Sequence, residues 1–141
     1  MITSNDDRQI EQSASFGATI DIELKSPNGV SLLGSNQYPI ANIVAKYSLS
    51  NLQHKESNDA PILDYPNNVS FNSENKSIKI FLNHSSSEKF PLTYIHWNKT
   101  DIDTIKAQYR RSENSVILDK VWIFKNNTWE ELKSKPLIII K

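Results

Sequence analysis

Between Ile20 and Lys25 the chain reads IDIELK, apolar and charged residues in strict alternation. That is the side-chain period of a β-strand, one face written for a core and the other for water. The alternation returns in SIKIFLN (77–83), LTYIHW (92–97) and DTIKAQYRR (103–111). NIVAKYSL (42–49) reads as a further strand, with a helix as the alternative, and no long stretch carries convincing helical spacing. Repeated half-buried strands without long helices bury their apolar faces only by packing sheet on sheet. The expected fold is therefore an all-β, two-sheet antiparallel β-sandwich, immunoglobulin-like or transthyretin-like, with about 7 to 8 strands.

Turn residues punctuate these runs. SPNG (26–29) ends the first strand, and NKTDI joins LTYIHW to DTIKAQYRR as the loop of an antiparallel hairpin. SVILDKVWIFK (115–125) breaks period at Asp119 and Lys120, which predicts a bulge or a change of face. NNTW reads as a tight turn, WEEL as a strand end or one helical turn, and PILDYP (61–66) as a short edge strand. PLIII (136–140) is apolar enough to be expected within a sheet rather than at its edge. The predicted core is Ile20, Ile22, Leu24, Ile78, Ile80, Leu82, Ile105, Tyr109, Ile123 and Ile139.

A chain of 141 residues is the size of one domain. Residues 1–17 lack a periodic apolar face and read as a flexible N-terminal tether, leaving 18–141 as the β-sandwich domain. Sixteen basic residues balance sixteen acidic ones, against the cationic excess of a nucleic-acid binder. The absence of cysteine excludes disulfides, thiolate nucleophiles and sulfur-ligated zinc. No run approaches the roughly 18 apolar residues of a membrane helix.

Taken together, DIELKSPNGVSLLG, IKIFLN, PLTYIHWNKTDIDTIKAQYRR and KVWIFKNNTW resemble a group of small uncharacterised lipoproteins of Bacteroidetes-type bacteria. In that group a strand with a D-x-x-G-x-x-L-L style turn precedes a β-sandwich, and a W-N-x-x-D-x-D-T-I hairpin lies in the C-terminal half. The resemblance covers about residues 18–141 and implies a cell-envelope location, with membrane attachment through a lipidated cysteine upstream of residue 1. TSNDDRQIEQSAS then resembles the tether that follows such a cysteine, although the chain itself has none. The group supplies no activity and no cofactor.

The residues best suited to chemistry are His96 beside Trp97, with Asp101 and Asp103 a turn away. A histidine and carboxylates at one loop suit a divalent cation or a general acid/base pair. Against this, Asn98 and Asp101 are turn formers, and alternation puts His96 and Trp97 on opposite faces. Trp97, Trp122 and Trp129 are candidates for stacking against sugars, with Trp122 expected to be buried and Trp129 exposed. His54 and His84 lie in polar loops without ligand spacing, and the five N-x-S/T sequons at Asn68, Asn75, Asn83, Asn98 and Asn126 match what chance gives in so polar a chain. The leading expectation is a non-enzymatic cell-envelope domain that binds a protein or glycan or serves as a structural part. The alternatives are a glycan-binding accessory domain using Trp97, Trp129 and His96, and a metal-dependent enzyme using His96 with Asp101 or Asp103.

Overall fold

The computed structural model describes residues 18–49, 55–57, 67–134 and 136–141. The tether, PILDYP and His54 lie outside them. Among these residues ten strands are formed: β1 (Thr19–Lys25), β2 (Val44–Leu49), β3 (Lys55–Ser57), β4 (Val69–Asn72), β5 (Ser77–Phe81), β6 (Leu92–His96), β7 (Ile102–Arg111), β8 (Val116–Lys125), β9 (Thr128–Glu131) and β10 (Leu137–Ile140). They make a four-stranded sheet, β10-β1-β5-β4, and a six-stranded sheet, β3-β2-β6-β7-β8-β9. The result is the expected two-sheet β-sandwich, with more strands than the alternation revealed and one parallel pair, β1 with β10.

The inward positions are those the alternation marked. Ile22 and Leu24 of β1, Ile78 and Ile80 of β5, Ile95 of β6 and Ile105 of β7 are fully buried in one core between the sheets. Of the ten predicted core residues eight are buried, and Ile20 and Tyr109 pack against the core from partly exposed positions.

The β6–β7 hairpin forms as expected, with Ile95 opposite Asp103 and His96 opposite Ile102. The break at Asp119 is a bulge: Gln108 pairs with Lys120 and Tyr109 with Leu118, which leaves Asp119 as the extra residue. Asn126 and Asn127 both adopt positive φ, 52° and 63°, as a two-residue hairpin turn requires, and Trp129, Glu130 and Glu131 of WEEL lie in β9 as a strand end. PLIII departs from expectation. It forms β10 at the edge of the smaller sheet, with Leu137 and Ile139 buried while Ile138 and Ile140 are 50% and 47% exposed. Its pairing with β1 spans almost the whole sequence, so local apolarity gave no sign of its place.

Polar side chains tie the sheets together. The Tyr47 hydroxyl donates to the Phe81 carbonyl at 2.6 Å, and that of Tyr109 donates to the Asn83 carbonyl at 2.7 Å. Asn83, just beyond β5, is buried and donates through Nδ2 to the Ser48 and Leu92 carbonyls, while its N–H donates to Thr93 Oγ1. Its amide is thereby committed to the fold, and Asn68 is equally buried and donates to the Ala45 carbonyl.

Candidate functional site

The turn between β6 and β7 is built from side-chain turn chemistry. Asn98 Oδ1 accepts the N–H groups of Thr100 and Asp101 at 2.9 and 2.8 Å, and the Trp97 N–H donates to the Asp101 carbonyl at 2.9 Å. Asn98 Nδ2 donates to the Gln37 carbonyl, which docks this turn on the loop before β2. That loop is closed by Gly34, whose φ of 86° suits glycine and whose N–H donates to the Tyr38 carbonyl.

Asp101 and Asp103 do come together, but on Lys141 rather than on His96. Lys141 Nζ lies 2.8 Å from Asp101 Oδ1 and 2.9 Å from Asp103 Oδ2. The Tyr38 hydroxyl donates to Asp101 Oδ2 at 2.8 Å, and the Trp97 indole N–H donates to Asp103 Oδ2 at 2.7 Å. Burial lowers the Lys141 pKa, but hydrogen bonds and charge from the two aspartates outweigh it, so the net shift is upward. Burial and the Asp101 carboxylate raise Tyr38 as well. An ammonium held protonated between two carboxylates is a poor nucleophile and a good clasp: it joins the end of β10 to the β6–β7 hairpin of the other sheet. The N–H of Lys141 also donates to the Lys25 carbonyl, closing the β1–β10 edge.

His96 does not join this cluster. Asp103 lies across from Ile95 and on the face of Trp97, and alternation along β6 places His96 on the opposite face. Among the described residues no group of three or more His, Asp or Glu side chains is placed to hold a metal ion. Trp97, a candidate for stacking, is fully buried with its indole N–H engaged, so it is a core anchor. His84 is in an exposed loop as expected.

A second grouping gathers two of the candidate stacking residues, Trp122 and Trp129, with Lys106, Phe90 and Phe124, which were not read from the sequence. Along the outer face of the six-stranded sheet, Trp122 of β8 stands beside Lys106 of β7, and Phe124 of β8 pairs with Trp129 of β9. Phe90, just before β6, meets Trp122 edge-on with ring centroids 6.1 Å apart, and the Phe124 and Trp129 centroids are 5.0 Å apart. Trp122, expected to be buried, and Trp129, expected to be exposed, are both half-buried. Phe90 and Phe124 are 37% and 42% exposed. Ile102, Tyr94 and His96 continue this face toward β6 by the same alternation. The signal lay in the spacing: Lys106, Trp122 and Trp129 are each outward positions of neighbouring strands, but they align only once the registers are known.

A concavity of about 910 Å³ lies elsewhere, between the bulged end of β8 and the β9–β10 connection. Two of its carboxylates are already matched, Glu23 with Lys25 and Asp119 with Arg110, and no sequence-predicted site residue lines it. No protein-family model, no curated protein and no solved structure matches the chain.

Proposed function

We propose that the protein is a non-enzymatic binding domain of the cell envelope that takes a glycan on the outer face of its six-stranded sheet. The observation that carries this reading is the contrast between the two outer faces. The smaller sheet turns Asp21, Glu23, Lys25, Ser70 and Lys79 outward across its middle, with Phe81 on β5 and Ile138 and Ile140 at one edge. The larger sheet turns out Trp122, Phe124 and Trp129, with Phe90 packed on Trp122. A contiguous aromatic surface exposed among the described residues is the mark of an interaction site. Ring faces suit the C–H faces of pyranoses, and indole N–H groups at the rim suit their hydroxyls.

The engagement of Asp101 and Asp103 by Lys141, Tyr38 and Trp97 supports a binding role over a catalytic one, since their hydrogen bonds serve the fold. The envelope setting rests on the resemblance of the chain to small lipoproteins. The test is a glycan array followed by titration of tryptophan fluorescence with each hit. Wild-type protein is expected to bind at least one glycan class, and Trp129→Ala and Trp122→Ala to abolish it while the fold persists. Absence of any hit on a comprehensive array overturns the glycan reading and turns attention to protein partners.

A further inference from the structure

Lys106 sits at the centre of the aromatic face. Its Nζ is 4.4 Å from the Trp129 ring centroid, 4.8 Å from that of Trp122 and 5.6 Å from that of Phe90. Lys89 adds a second ammonium 5.6 Å from the Phe90 centroid. Among the described residues neither lysine has a carboxylate at ion-pair distance, whereas Lys25 is paired with Glu23 and Lys141 with two aspartates. Glu131 lies on the same face, across from Trp122, and is not bridged to Lys106. Ring quadrupoles attract and orient a cation but leave its charge unneutralised. The face therefore presents positive charge in the middle of an apolar, stacking surface.

Resting on the glycan reading above, we infer that the glycan is anionic: a sugar unit stacks on Trp129 and Trp122 and sets its acidic group on Lys106. A neutral sugar would have to leave that ammonium partly desolvated and unmatched, which disfavours it. An acidic sugar instead exchanges the cation–ring contact for a charge-assisted hydrogen bond in a water-poor setting.

The experiment compares β-1,4-linked glucuronan oligomers with cello-oligosaccharides of equal length, which share the linkage and differ at the carboxylate. Both are titrated into the whole chain by calorimetry at low and moderate salt. The glucuronan is expected to bind about ten-fold more tightly, the usual return of one charge-assisted hydrogen bond. The preference should shrink as salt rises. A sulfated cello-oligosaccharide arm tells a carboxylate requirement from a general anion requirement, and tighter binding of either acidic chain supports the inference. Lys106→Met should bring the ratio of acidic to neutral affinity to about one, and Lys106→Arg should keep it, since both charge and ring stacking survive. Should Lys106→Met fail to fold, the salt dependence of the wild-type preference still decides. Equal affinity for acidic and neutral chains overturns the anionic inference and leaves the glycan reading standing. Binding of neither, together with an empty glycan array, overturns both.

Discussion

Replacing Lys141 with methionine removes one ammonium and keeps most of the apolar stem, so it isolates the charge in the clasp. The side chains of Lys141, Asp101 and Asp103 are 18%, 24% and 12% exposed, between the surface and interior limits. A surface pair contributes about 0–1 kcal/mol, and breaking a buried one costs about 3–5 kcal/mol, because a charge is stranded. Each aspartate keeps one other donor, the Tyr38 hydroxyl or the Trp97 indole, so neither is left bare. The expected loss is about 2 kcal/mol, which for a domain of this size lowers the melting temperature by roughly 6–10 °C. Urea unfolding at pH 7 measures it, with an unchanged slope showing that the comparison is of stability alone. The triple variant K141M/D101N/D103N leaves no uncompensated carboxylate, so it should recover about 1 kcal/mol of that loss. A loss below about 0.5 kcal/mol for Lys141→Met, or a triple variant less stable than the single one, would refute the clasp as a charge-balanced unit.

The folded-state pKa values of Tyr38, Tyr47, Tyr109 and Lys141 all lie above their ordinary values, the tyrosines chiefly through burial and Lys141 through its aspartates. The native state thus keeps protons that the unfolded chain releases from about pH 10 upward, so urea midpoints should hold to about pH 9 and fall beyond pH 10. A midpoint that climbs over that range contradicts the assignment. Ile138→Lys, on β10 at the edge of the smaller sheet among the described residues, should raise the concentration at which light scattering appears while shifting stability by no more than about 0.5 kcal/mol. Asn127→Gly, at a φ of 63° in the β8–β9 turn, should stabilise by about 0.5 kcal/mol in the same urea assay, because glycine takes that conformation without strain.

Local patterns carried much of the fold. The β6–β7 hairpin, the bulge at Asp119 and the Asn126–Asn127 turn each depend on residues adjacent in sequence, where alternation and turn chemistry act directly. β4 was missed because VSFN offers only Val69 and Phe71 to the core, and β3 because Lys55–Ser57 has no strand pattern and exists through pairing with β2. The pairing of β1 with β10 brings residues such as Leu24 and Ile139 together across most of the chain, which no window of sequence can display. The site behaved alike. The Asp101–Asp103 spacing stood out, but its partner Lys141 is 40 residues from Asp101, so the aspartates suggested chemistry where the fold supplies a clasp.

Asp101 and Asp103, which invited a chemical reading, prove to hold the sheets in place, as the buried polar groups around them do. Tyr47, Tyr109 and Asn83 bond to main-chain carbonyls, and Asp101 and Asp103 are held by Lys141, Tyr38 and Trp97. Groups so committed could reach a substrate only by breaking bonds that leave buried atoms unpaired, at about 1–3 kcal/mol each. On the proposed reading the ligand meets the outer face, and β7 links it to the clasp: Asp103 points into the clasp while Lys106, three residues on, points out among the rings. A strand fixed from inside holds its outer side chains in place before a ligand arrives. Binding to such a surface loses little entropy in ordering the protein, so even a shallow face can select its ligand.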